Sequence, residues 1–194
     1  MNIVINEDLR AYIDPLTPEE FEALERSILT EGCRDALILW GDTLVDGHNR
    51  YTICQKHGLP FETRQHPTFK SLEDVHLWMI DQHLGRRSVS DFQRGVLALR
   101  KREILAERRS RKIAATATPA PADAPMAEAA APSAPVPDAP PIKSRTDIAK
   151  LARLSNAQVM AIEKIQKQAA PELVAAVKAG TISLNTAATV AALP

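Results

Sequence analysis

"TLVDGHNRYTIC", residues 43–54, changes its period at the glycine. The residues before Gly47 read as a short apolar strand, and those after it as a helix from about Asn49 to His57, closed by Gly58. A strand that ends at a glycine and enters a helix aims backbone N–H groups at one point, where the helix dipole favours an anion. Gly47 would allow close approach, Arg50 one turn in could fork onto phosphate oxygens, and His48 can donate from a ring nitrogen. The same letters also fit a plain tight turn, with Asn49 capping the helix and Arg50 paired to an acidic neighbour. Both readings stand on these residues alone.

The flanks supply the rest of a small mixed α/β domain. "LTPEEFEALERSILTEG" carries a capping box from Thr17 to Glu20, Pro18 at the first helical position and Gly32 at the C-terminal cap. Phe21, Leu24 and Ile28 recur at helical spacing between them. "ALILW" and "TLVDG" flank a two-residue Gly41-Asp42 loop, a hairpin signal. "PFETRQ" predicts a further strand. Ser71 with Asp74 caps the next helix, which turns Val75, Trp78 and Met79 inward. Ser90 with Gln93 caps another, running through Phe92, Val96 and Leu99 into the basic run "RKREILAERRSRK".

The formal net charge of zero hides an asymmetry. Residues 1–85 hold 7 Lys/Arg against 15 Asp/Glu, residues 86–112 hold 10 against 3, and residues 143–194 hold 7 against 3. A basic middle and tail behind an acidic front suits a polyanionic partner, although a solvated helix face gives the same tally. Cys33 and Cys54 offer no disulfide framework, and the start, MNIVINEDLRAYIDP, has no basic region followed by an apolar stretch. No apolar run approaches the roughly 20 residues that span a bilayer. The expectation is a cytoplasmic protein with no membrane partner. His48, His57, His66, His76 and His83 never fall at the spacing of a zinc motif, so no metal site is expected.

"AATATPAPADAPMAEAAAPSAPVPDAPP" removes backbone donors and supplies too little apolar bulk for a core, so residues 113–142 are expected to form a flexible, disordered Ala/Pro linker. Beyond it, residues 143–194 read as short helices, the first two joined near Arg153-Leu154-Ser155. A helix-turn-helix needs a small residue where its helices approach and apolar residues on the turn and inner face. Ala149, Leu154, Val159 and Ile162 fit those places. Ser155 would cap the second helix and leave Asn156 and Gln158 outward, where each could pair with adenine. Arg145, Lys150, Arg153 and Lys164 would meet phosphates. A plain helical hairpin would show the same apolar spacing. Arg153 stands where glycine usually relieves left-handed backbone, and the outer helix face has no arginine to read guanine.

The series of motifs resembles the ParB family of partition proteins, whose N-terminal domain shares the ParB/sulfiredoxin fold. "LTPEEFEALERSILTEG", "VDGHNRYTIC", "IDQHLGRRSVSDFQR", the helix-turn-helix and "PELVAAVKAGTISLNTAATVAAL" follow in the family's order. The resemblance implies an α+β chain: a ParB/sulfiredoxin-like domain over residues 1–90, a basic helix over 91–112, the linker over 113–142 and a DNA-binding helical domain over 143–194. In that family the corner is typically Gly-Glu-Arg-Arg and contacts the phosphates of CTP; the matching residues here are Gly47, His48, Asn49 and Arg50. The family's Glu-Asn-x-Gln-Arg stretch, which helps to hold the nucleotide and magnesium, matches Asp81, Gln82 and, after a one-residue shift, Arg86. Sulfiredoxins carry a nucleophilic cysteine where this chain has His48, so sulfinic-acid reduction has no attacking atom.

The expected function is DNA binding in partition or transcriptional regulation, with double-stranded DNA, a partner ATPase and a second copy of the chain as partners. Two alternatives remain open at this point. One is an enzyme, a nucleotidase or ParB-like nuclease using Asp46 and Asp81 on magnesium; the other is an adaptor that binds only protein.

Overall fold

A computed structural model describes residues 2–86, 89–117 and 142–191. The chain divides into two compact units, Met1–Met79 and Ile80–Pro194. Most of the expected linker, residues 118–141, lies outside the described residues.

The first unit is built on a three-stranded sheet. Strands β1 (Leu37–Trp40) and β2 (Thr43–Asp46) pair antiparallel around Gly41, whose φ of 59° meets the demand of a two-residue loop. Strand β3 (Thr63–Gln65) runs parallel to β1, giving the order β2-β1-β3. Val4 adds an isolated parallel bridge to Thr43, and a short helix α1 (Glu7–Ala11) follows, capped by the Asn6 side chain. Neither was expected, because the apolar content there is too slight to show a period.

Helix α2 (Pro18–Glu31) opens on the expected capping box: Glu20 N to Thr17 Oγ1 at 3.2 Å and Thr17 N to Glu20 Oε2 at 2.9 Å. Helix α3 (His48–His57) ends at Gly58, and α4 (Leu72–Leu84) begins where Ser71 and Asp74 cap each other. Strand alternation sends Leu37 and Leu39 to one sheet face, with Leu44, Tyr51 and Phe61, and Ile38 and Trp40 to the other, with Leu9, Val45, Phe69, Val75 and Met79. Both faces are covered, which explains the unbroken apolar run of β1. Ile28 of α2 closes against Ile53 and Cys54 of α3.

The second unit is helical: α5 (Asp91–Ala117), α6 (Arg145–Ala152), α7 (Asn156–Gln168), α8 (Pro171–Lys178) and α9 (Leu184–Val190). Helix α5 continues five residues past Lys112, into sequence assigned above to the linker. Alanine favours the helix there, and the first proline comes only at Pro119. The basic helix, expected as a segment apart from 143–194, shares their core: Phe92, Ala98 and Leu99 pack with Ile148, Ala149, Ala152, Val159, Ile162 and Ile165. A Cβ on Gly95 would collide with Ile162 Cδ1, so α5 and α7 approach closely at that glycine. Among the described residues no helix is long and apolar enough to cross a membrane.

Candidate phosphate corner and nucleic-acid face

At the corner after β2, Gly47 N-caps α3 with φ 99° and ψ 21°, and Tyr51 N bonds to its carbonyl at 2.8 Å. The helix therefore starts at His48, one residue earlier than expected. Asn49 lies inside the first turn and does not cap. No side chain caps α3, and its first turn holds no acid. Helix geometry leaves the leading N–H groups without intrahelical partners.

Arg50 settles on its own neighbours. Nη2 donates to Asp46 Oδ2 at 3.0 Å, and Nη1 lies 3.8 Å from Asp35 Oδ2. The side chain also lies over Gly47, where an added Cβ would stand 2.6 Å from Leu37 Cδ2 and 3.1 Å from Arg50 Nη2. Glycine is thus required by internal packing as well as by its left-handed backbone. Of the three buried side-chain polar atoms left without a partner among the described residues, two are here: His48 Nε2 and Arg50 Nε. Such orphans are costly in a buried site, and Arg50, bonded to Asp46, fills the space over Gly47.

Burial holds His48 below its ordinary value, helped by Arg10 and opposed by Asp46, Glu7 and the Leu44 carbonyl. At neutral pH it is an uncharged donor and acceptor, which adds no positive charge to the corner. Burial, with the Cys33 thiol beside it, pushes Cys54 up to about 11. That thiol is not a nucleophile at physiological pH. Asp81, Gln82 and Arg86 belong to the second unit and are exposed, with Asp81 ion-paired to Lys101. No three His, Cys, Asp or Glu side chains converge as a metal site among the described residues.

On the helical unit, the turn between α6 and α7 closes with Leu154 N to Ala149 O at 2.8 Å and Arg153 N to Lys150 O at 3.3 Å, the two bonds of a Schellman motif. Its left-handed position is filled by Arg153 at φ 56°. Ser155 caps α7 reciprocally with Gln158. Val159, Ile162 and Ile165 turn fully inward.

Lys150, Arg153, Ser155 and Asn156 are exposed, whereas Lys164 is half-buried. Gln158 is spoken for: besides the cap, its Nε2 donates to Asp91 Oδ2 at 3.0 Å, and Asp91 also pairs with Arg94. Arg145 is exposed, yet its Nε donates to Glu163 Oε2 at 2.9 Å while Arg102 Nη1 reaches Oε1 at 3.4 Å. The sequence reading missed Glu163, Asp91 and the exposed Met160. Only the first left a local trace, as the one acid in α7.

No family model matches the sequence, and no curated protein does. Solved structures do. A pNOB8-like ParB N-domain in one crystal form is 14% identical, with 96% of this chain and 75% of that chain covered at a TM-score of 0.59. Another structure of the pNOB8-like ParB N-domain is 15% identical over 96% of this chain and 70% of that one, at 0.55. A C-terminally truncated chromosome-partitioning ParB from Caulobacter crescentus, complexed to the centromeric parS site, is 15% identical over 100% of this chain and 82% of that chain, at 0.42. In the first two the likeness is one of fold, and it agrees with the order of motifs: this chain has the fold of the ParB N-domain.

Proposed function

We propose that this chain is a ParB-type DNA-binding protein acting in plasmid or chromosome partition, or in related transcriptional control. The observation that carries the proposal is the contrast between the two faces of α7. Its inner face is fully buried, while Asn156 and Ala157 of its first turn stand exposed, as do Lys150 of α6 and Arg153 of the turn. As a helix-turn-helix, α6 and α7 set the α7 N-terminus into the major groove, where Asn156 can make a bidentate contact to adenine. Lys150, Arg153 and Lys164 meet phosphates. Ser155 and Gln158 hold the reading helix in place through its cap. Binding of the intact chain to mixed-sequence duplex is expected to weaken steeply with salt, and Lys150→Ala with Arg153→Ala to flatten the slope by about two units. Absence of duplex binding at low salt would leave a protein-interaction adaptor in its place.

At the corner the proposal is a phosphate seat for a nucleoside triphosphate such as CTP. Its support is the uncapped first turn of α3 with the partnerless His48 Nε2 and Arg50 Nε. Amides of His48, Asn49 and Arg50 would take phosphate oxygens, and Arg50 would exchange its Asp46 carboxylate for one of them. A magnesium ion carried with the triphosphate would neutralise part of its charge. Titration with each of the four ribonucleoside triphosphates, with and without magnesium, tests the seat. Arg50→Ala should weaken binding at least tenfold. Phosphate release followed in the same samples tests hydrolysis, and equal release by wild type and Arg50→Ala removes Arg50 from any catalytic role.

A further inference from the structure

The exposed face of α7 carries an apolar group that phosphate contacts do not use. Asn156, Met160 and Lys164 fall at i, i+4 and i+8, one stripe on the side opposite Val159, Ile162 and Ile165. Met160 is 54% exposed at the middle of that stripe, and Ala157 beside it is also exposed. Gln158, the other amide expected to read bases, is held by Ser155 and Asp91.

The surroundings point to a polyanion. Residues 143–168 hold six Lys/Arg against two Asp/Glu. Both acids are engaged: Asp147 caps α6 at Ser144, and Glu163 is bonded to Arg102 and Arg145. A surface that is cationic at its edges and apolar at its centre fits a duplex whose major groove displays methyl groups between its phosphate rails. Thymine supplies the only such methyl, on C5, and an unbranched thioether adapts readily to it.

We propose that Met160 is a specificity-determining residue that reads thymine methyl groups in the major groove. This rests on the reading of α7 as the groove-docking helix. Four residues advance about 6 Å along a helix, close to two base-pair steps, so the thymine is expected within about two steps of the adenine met by Asn156.

The full chain would be used to enrich duplexes from a random-sequence pool. The enriched duplex is then remade with each thymine in turn replaced by deoxyuridine, which removes only the methyl group. Wild type should lose about 3- to 10-fold in affinity at one or two positions. Met160→Ala should bind the thymine and uracil duplexes equally, with an unchanged salt slope, and Met160→Leu should restore part of the difference. Because Met160 is exposed, Tm should be the same for all three proteins. Enrichment of a site at which no methyl matters, or low-salt binding without any enrichment, overturns the role of Met160 and leaves duplex binding standing. Failure to bind any duplex at low salt overturns the docking reading itself.

Discussion

Arg153 holds the left-handed backbone that closes the turn into α7, at φ 56°, the one non-glycine with positive φ among the described residues. An L side chain there costs about 1 kcal/mol relative to glycine, so its presence is explained better by what its exposed guanidinium can contact than by the turn. Arg153→Gly is expected to stabilise the helical unit by about 1 kcal/mol while weakening duplex binding; a variant that gains stability and keeps full affinity removes Arg153 from the interface. His48 gives a second single-residue outcome. Its folded-state value lies below the ordinary 6.5, chiefly through burial, so on acidification the unfolded chain takes up the proton first. The stability it contributes is present above about pH 6.5 and is lost as pH falls below that value. His66 is lowered by burial too, so the measurement is a comparison. Between about pH 7.5 and about pH 5.5 wild type should lose more Tm than His48→Gln, and parallel losses would show that His48 is not the group responsible.

Among the elements, several closed by local chemistry were legible in the sequence, although α1, capped by Asn6, and the Ser144–Asp147 box of α6 were not. Thr17 with Glu20, Ser71 with Asp74 and Ser90 with Gln93 each act over three residues, and these pairs and the Ser155 cap mark helix starts that the structure has. The hairpin was equally plain from Gly41-Asp42. Legibility failed where the partner is remote. Gln158 meets Asp91 from 67 residues away, and Glu163 meets Arg102 from 61, so an amide expected to face DNA is turned to its own fold. Arg50 shows the same limit at short range: its i−4 neighbour Asp46 was one of two expected outcomes, and nothing in the letters chose between a carboxylate and a phosphate. Gly95 is the clearest case, since it looks like a weak point in a long helix and is the place where α5 meets Ile162. Gly95→Val should therefore destabilise the helical unit by about 1–3 kcal/mol through overpacking, despite removing a poor helix former. Urea denaturation would read this, and a gain in stability would mean that α5 does not bear on α7.

Across the whole molecule, charge is divided by segment: residues 1–85 are acidic by 8, and residues 86–112 and 143–194 are basic by 7 and 4. A tally of that kind does not say how many cations reach a duplex, because several are bonded within the protein. Lys101 is paired with Asp81, and Arg102 and Arg145 share Glu163, a carboxylate only 14% exposed. Glu163 thus does two opposing things: it ties α5, α6 and α7 together, and it withholds Arg145 from the phosphates that Lys150 and Arg153 would meet. Replacing it separates the two effects. Glu163→Gln should lower the stability of the helical unit by about 1 kcal/mol, since a mostly buried carboxylate loses its charge-assisted bonds to two partly exposed guanidiniums. The same change should steepen the salt dependence of duplex binding by about one unit, as Arg145 becomes available to a phosphate. Thermal melting and binding measured at three or more salt concentrations give both numbers on one protein. A loss of stability with an unchanged slope would place Arg145 off the interface and leave the phosphate contacts to Lys150, Arg153 and Lys164.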